Sequence, residues 1–274
     1  MVDMLPQPSD GFAWVQAAPG AALVCRALVP FAAHLFSTRE WKLGSTTERD
    51  AWLEVAAAMD VDPAELVRVR QVHGAAVRYA MDAGPCDADV IIGDDSKRAL
   101  AIQTADCVPL LIVDRRGGAC AAVHAGWRGM VARAPARAVD ALQQRFGCRP
   151  GDLLAAIGPS IGACCYEVGA DVRDAFRDAG FSTGESAAWF SDRPRPSPRN
   201  PSMPRLTAGR SAHWFFDGWA AVRDQLQAMG LAANQIHVAA LCTASHTDVL
   251  CSYRREGARA GRMAAAIRPR PIDG

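Results

Sequence analysis

The alternation of apolar and polar residues divides this chain into many short elements. Ala21-Ala22-Leu23-Val24-Cys25 and Ala32-Ala33-His34-Leu35-Phe36-Ser37-Thr38 are apolar runs between polar breaks, which predicts strands. Thr47-Glu48-Arg49-Asp50 opens a stretch in which Leu53, Ala56 and Ala57 recur at helical spacing, predicting an amphipathic helix over 51–59. Asp62-Pro63 is a helix-start signal, and 66–72 is expected to run as a strand into His73. Residues 89–93, 99–104 and 108–114 predict buried strands. The tight Arg115-Arg116-Gly117-Gly118 turn returns the chain as a strand over 119–124, an antiparallel hairpin. From 129 to 146 the period becomes helical, with Ala132, Ala136, Val139 and Leu142 on one side. Further helices are expected over 168–179 and 217–229, and strands over 153–157, 236–241 and 263–267. Strands and helices interleaved in this way, with a tight hairpin, point to a layered α/β fold around a mixed sheet.

Residues 191–205 carry five prolines and predict a loop inside the unit, not a linker, because apolar runs of the same character resume on both sides. The whole of 1–274 is therefore expected to form one domain. Half of the residues are apolar, enough for a sizeable core. Thirty basic and 29 acidic residues give a net charge of +1, which argues against nucleic acid or an anionic membrane as partner. Nine scattered cysteines make a poor disulfide framework. The opening Met1-Val2-Asp3-Met4-Leu5 shows no signal-peptide pattern, and no run approaches ~20 apolar residues, so a reducing cytoplasm is expected.

Three blocks carry candidate chemistry: Gln71-Val72-His73-Gly74, Thr104-Ala105-Asp106-Cys107 and His124-Ala125-Gly126-Trp127-Arg128-Gly129. Two imidazoles and one thiolate suit zinc, and three protein ligands leave a fourth position open, as in catalytic sites. Taken singly, each donor has a plainer explanation. A lone histidine is more often a hydrogen-bonded structural group, and a lone cysteine a packed thiol. Spacings of 34 and 17 residues match no generic zinc pattern. Asp106 could orient a ligating imidazole or cap a turn. The glycines around Trp127-Arg128 could thin the backbone for an approaching ligand, with Arg128 near an anion. The adjacent Cys164-Cys165 pair reads as packing thiols. Tyr253 could stack on a base and Arg254 bind phosphate, although a solvated surface turn explains both.

Together with His34-Leu35-Phe36-Ser37-Thr38-Arg39, Asp87-Ala88-Asp89, Ile157-Gly158-Pro159-Ser160-Ile161-Gly162, Cys165-Tyr166-Glu167-Val168-Gly169, Cys242-Thr243, Ser252-Tyr253-Arg254-Arg255-Glu256-Gly257 and Gly261-Arg262, these blocks resemble the YfiH family in family order. That family is also labelled polyphenol oxidase (laccase)-like or peptidoglycan editing factor, and is assigned as purine nucleoside phosphorylase. The resemblance implies its single layered α/β domain. It implies His73, Cys107 and His124 as zinc ligands, with Cu²⁺ the other candidate, and Arg39 at the substrate pocket. It also implies phosphorolysis of adenosine, inosine and methylthioadenosine, with some adenosine deamination. Two stretches depart from the family pattern. Glu40-Trp41-Lys42-Leu43-Gly44 replaces a longer glycine-rich segment, and Glu48-Arg49-Asp50 stands where an Asn often opens the next helix region. The metal ligands are untouched, so the departures bear on a pocket wall and on substrate preference.

The expected catalytic set is therefore His73, Asp106, Cys107 and His124, with Gln71, Arg39, Arg128, Tyr253 and Arg254 at the substrate. The partners would be a purine nucleoside and phosphate, and the chain a monomer or small homo-oligomer. The competing readings are a metal-free hydrolase with Cys107 as nucleophile and His124 or His73 as base, a laccase-like copper oxidase, and a non-enzymatic nucleotide-binding protein.

Overall fold

The computed structural model describes residues 5–44, 48–82, 84–204, 206 and 210–271, with backbone alone for 48–50. Fifteen strands and seven helices follow one another in these residues. The strands are β1 (Phe12–Ala17), β2 (Gly20–Cys25), β3 (Ala32–Ser37), β4 (Leu66–Val67), β5 (Val77–Tyr79), β6 (Val90–Gly93), β7 (Ala99–Thr104) and β8 (Val108–Asp114). They continue as β9 (Cys120–Ala125), β10 (Leu153–Ile157), β11 (Glu167–Gly169), β12 (Phe190–Ser191), β13 (His213–Phe216), β14 (Ile236–Val238) and β15 (Met263–Pro269). The helices are α1 (Glu48–Ala58), α2 (Trp127–Val131), α3 (Ala134–Phe146), α4 (Ala170–Asp178), α5 (Thr183–Ser186), α6 (Gly218–Ala228) and α7 (Tyr253–Glu256).

Two six-stranded sheets form the body, in the orders β1-β2-β3-β15-β7-β4 and β14-β10-β8-β9-β6-β5, beside a small β11-β13-β12 sheet. Both large sheets are mixed, since β4 with β7, β5 with β6 and β10 with β14 pair in parallel within otherwise antiparallel ladders. The α/β class expected from the sequence holds, but two stacked sheets, not one, lie between the helical layers. Period-two patterning explains the stack. On β7, Ala99 and Ala101 face outward toward α1, while Leu100 and Ile102 face the second sheet. On β8, Leu111 and Val113 face the first sheet, while Leu110 and Ile112 pack with Ala138, Val139 and Leu142 of α3. A strand buried on both faces reads as a continuous apolar run, which is why Val108-Pro109-Leu110-Leu111-Ile112-Val113 shows no alternation. The outer face of the first sheet is built of small residues (Ala22, Ala99, Ala101, Ala264, Ala266), leaving room for Trp41 and Trp52.

Several elements differ from the sequence expectation. In α1 the buried face is Trp52, Val55, Ala56 and Met59, whereas Leu53 and Ala57 are exposed. Both faces satisfy helical spacing, and the bulkier one is buried. Thr47, expected to open this helix, lies outside the described residues. The expected helix over 129–146 is two helices, broken where Arg133 adopts φ 62°. Its inward face is Ala134, Pro135, Ala138, Val139 and Leu142, leaving Ala132 exposed. The 168–179 segment gives its first residues to β11 before turning helical, and 236–241 is a strand only to Val238. After Ser191 the proline-rich segment is irregular, as expected. It is anchored by buried Asn200, whose side chain donates to the Ala240 carbonyl and accepts from the Cys242 amide, both at 2.8 Å.

Two connections matter for the site. The chain passes from the first sheet to the second between β4 and β5, and again between β7 and β8. His73 lies in the former passage and Cys107 in the latter.

Candidate metal centre and cavity

His73 does not end a strand. The ladder stops at Val67, and His73 sits in a bend with φ 62°. Asp89 accounts for the distortion. Its carboxylate accepts from the amides of Val72 (3.2 Å), His73 (3.0 Å) and Gly74 (2.6 Å), a nest of three consecutive N–H groups that an extended strand cannot form. Left-handed backbone at a non-glycine residue costs about 1–2 kcal/mol, and charge-assisted hydrogen bonds offset it. The same carboxylate lies 2.8 Å from Nδ1 of His124 on β9. One fully buried acid therefore fixes the His73 backbone and the His124 ring together, and directs the other ring nitrogen of His124 away from itself.

Cys107 arrives from the β7–β8 connection. The donor atoms of His73, Cys107 and His124 all lie within 4.8 Å of one another, and the imidazole rings meet edge to face with centroids 4.8 Å apart. Gly126, which starts α2, keeps this space open. A Cβ there would lie 3.0 Å from Cys107 Sγ and 3.1 Å from His73 Cδ2. Its φ of −72° suits any residue, so this glycine is required for space and not for conformation. Gly129 does the same one turn later, where a Cβ would meet the Gly74 carbonyl at 3.1 Å. Burial would push the Cys107 thiol up, but hydrogen bonds and charge from His124 and His73 bring it down to about 6. Burial would likewise push the His124 imidazolium down, yet Asp89 and Cys107 lift it to about 9. Both shifts favour an imidazolium beside a thiolate, the charge distribution a cation would replace.

The trio opens on a cavity of ≈ 470 Å³. Gln71, Asp106, Arg128, Tyr253 and Arg254 line it as expected from the sequence. Arg39 is not among its lining residues. The Arg39 guanidinium is instead paired with Glu256 at 2.6 Å, behind α7. Nor does Asp106 hold an imidazole. Its two oxygens accept from the Thr243 hydroxyl and the Arg254 amide, each at 2.6 Å, so it caps the start of α7 and leaves imidazole orientation to Asp89. Gln71 is committed to the backbone of Gln103, accepting from its amide at 2.7 Å and donating to its carbonyl at 2.8 Å. Arg128 lies over the Trp127 ring at 4.2 Å. Arg254 donates to the Glu167 carbonyl at 2.8 Å and leans on Tyr166. Burial pushes the Tyr166 phenol up.

Sequence reasoning gave no role to Asp89, Gln103, Tyr166 or Arg262, all at this centre or on the cavity wall. Asp89 was visible as a lone acid abutting the Val90-Ile91-Ile92 run, a position where burial demands partners.

The family described as multi-copper polyphenol oxidoreductase laccase matches residues 48–270. The chain belongs to this family, the YfiH family. A relative from Bacteroides thetaiotaomicron, named purine nucleoside phosphorylase, is 37% identical over 181 residues, 65% of this chain and 60% of the relative. This chain thus spans three fifths of that relative's length. A protein named adenosine deaminase RL5, from an unknown prokaryotic organism, is 33% identical over 229 residues, 80% of each chain. The crystal structure of Bacillus licheniformis YfiH superposes with a TM-score of 0.79 at 23% identity, covering 94% of this chain and 99% of that one, which establishes the shared YfiH-type fold. Among the described residues no helix is long and apolar enough to cross a membrane.

Proposed function

We propose that this chain is a zinc-dependent purine nucleoside phosphorylase acting on adenosine, inosine and methylthioadenosine, with adenosine deamination as a side activity. The carrying observation is the convergence of His73, Cys107 and His124 at the floor of a nucleoside-sized cavity. Two nitrogens and one sulfur fit Zn²⁺, and the buried acid behind His124 is the outer partner that zinc-bound histidines usually have. A blue-copper centre would need a further axial, Met-like ligand. When bound, zinc supplies Lewis acidity and a lowered pKa for a coordinated water.

The chain's own residues carry the remaining roles. Arg128, Arg254 and Arg262 bring three guanidinium groups to the cavity wall, suited to holding phosphate against the ribose. Tyr253, 54% exposed at the rim, offers a face for the purine. Gln103 has a buried Oε1 with no protein partner, an acceptor for a ribose hydroxyl or a base N–H. Asp106, on the cavity wall and with its pKa raised by burial, is the carboxyl group to which this reading gives proton handling. The free cysteines favour a reducing compartment such as the cytoplasm. The relatives named purine nucleoside phosphorylase and adenosine deaminase support the two activities.

One observation favours a second reading. Cys107, His124 and Asp89 stand in the order of a thiol–imidazole–carboxylate relay, which suits a cysteine hydrolase. Such a relay gives His73 no role, so the metal reading accounts for more of the site. The deciding experiment is Cys107→Ala, with zinc content and inosine phosphorolysis both measured with and without phosphate. Loss of zinc together with phosphate-dependent turnover supports the proposal. Full phosphorolysis without bound metal refutes it.

A further inference from the structure

A second group of donors lies apart from the first. Cys164 and Cys165, in the loop before β11, meet Cys242, which follows β14, with the three sulfurs all within 4.8 Å of one another. All three residues are buried, and their neighbours are Ile161, Ala244, Trp219 and Leu206. The proline-rich segment covers them. Cys165 Sγ lies 3.7 Å from the Pro201 carbonyl, and Ser245 donates to that carbonyl at 2.7 Å.

One backbone amide and one hydroxyl reach the cluster. The Gly162 amide donates to Cys242 Sγ at 3.3 Å, and the Ser245 hydroxyl stands 3.6 Å from both Cys164 Sγ and Cys165 Sγ. Plain packing of thiols explains the burial but not the meeting of three sulfurs around one point.

We propose that Cys164, Cys165 and Cys242 form a second, all-sulfur metal site selective for monovalent copper. The geometry needs little adjustment. A triangle with 4.8 Å sides has its centre ~2.8 Å from each corner, so a metal–sulfur bond of about 2.3 Å asks each sulfur to move inward by roughly 0.5 Å. Zinc takes four ligands, one more than the three sulfurs supply. Met203, whose thioether is itself a soft donor, packs against the cluster. Thiolates with a thioether select Cu(I) over harder ions. Binding releases the remaining thiol protons to solvent, and no electron moves because copper enters already reduced. This site stands independently of the zinc reading above.

The test is anaerobic titration of the full chain with Cu(I) against a chromogenic Cu(I) chelator, followed by X-ray absorption at the copper edge. The Cys107→Ala variant, which disables the first centre, is expected to retain one tightly held copper with sulfur-only coordination. Adding Cys242→Ala or, separately, Cys165→Ser is expected to weaken that binding at least tenfold, with unchanged circular dichroism in at least one of the two. Failure of folded Cys107→Ala to hold Cu(I), or affinity in both double variants undiminished from that of Cys107→Ala alone, overturns the proposal. So does zinc outcompeting Cu(I) at equal concentration, or a disulfide among the three residues in protein kept under glutathione.

Discussion

Asp89→Asn is the substitution that most directly probes the first centre. The carboxylate is fully buried and serves three backbone amides and one imidazole. Asparagine keeps the shape but removes the charge, and it turns one acceptor into a donor facing N–H groups. At least one amide or the imidazole then loses its partner. With about 1–3 kcal/mol per unsatisfied buried group, a loss of roughly 3–5 kcal/mol in unfolding free energy is expected. Zinc affinity is expected to fall about 10–100-fold through lost orientation of His124. The pH dependence distinguishes this from general damage. In the metal-free protein His124 is lifted to about 9, largely by Asp89 and Cys107 against burial. At pH 7 a metal must therefore displace a proton at a cost of about 2–3 kcal/mol, which vanishes above pH 9. The variant lacks the acid that raises this value, so its proton competition is weaker. Its affinity deficit should be smallest near pH 7 and grow toward pH 9. Stability has its own signature. Asp89 is held below the ordinary carboxylate value by His124 and the Gly74 and His73 amides, which outweigh burial. Its contribution is present above the unfolded carboxylate pKa and is lost as pH falls through the lowered folded value. Urea unfolding of metal-free protein should accordingly show the wild-type advantage shrinking in acid. Chelator competition at several pH values, with urea curves alongside, checks both effects. An Asn variant with wild-type zinc affinity at pH 9 would refute the orienting role.

Other outcomes follow from the same geometry. Gly126→Ala places a methyl against Cys107 Sγ and His73 Cδ2, so metal content should drop several-fold while thermal stability falls by only ~1–3 kcal/mol; intact metal binding in this variant would contradict the spatial role of the glycine. In metal-free protein Cys107, at about 6, should alkylate at a rate that is flat above pH 7 and falls below pH 6, as thiolate is lost to protonation. Cys251, raised to about 11 by burial, should lag far behind; mass spectrometry of timed iodoacetamide labelling reads the order. Arg254→Ala should raise the KM for phosphate at least tenfold, a loss of about 1.4 kcal/mol or more. Arg39→Ala, which breaks a partly exposed ion pair outside the cavity lining, should change it by less than threefold; equal effects in steady-state assays would restore Arg39 to the pocket.

What the sequence revealed depended on range. β8 and β9 were legible because a continuous apolar run and a tight turn are local signals. The donor types at His73, Cys107 and His124 were legible too, but their meeting was not, since it is produced by two passages between sheets and by the Asp89 nest. The strand expected over 66–72 failed for the same reason. Its apolar residues promise extension, yet a carboxylate 16 positions beyond His73 bends the backbone. Leu53 misled because one helix offered two apolar faces and only Trp52 completed the buried one. Arg39 was placed at the substrate by resemblance, whereas Glu256 claims its guanidinium here. Asp106 has φ 84°, and no local pattern announced that this turn would aim its oxygens at Thr243 and α7.

Because His73 and Cys107 ride on two of the crossings between β layers, the donor triangle also measures how those layers are seated. A slippage of one layer over the other by an ångström would spread the donors while nearly every ladder stayed zipped. Heating should therefore silence the proposed activity before the protein melts, and a bound ion should act as a rivet that delays both events.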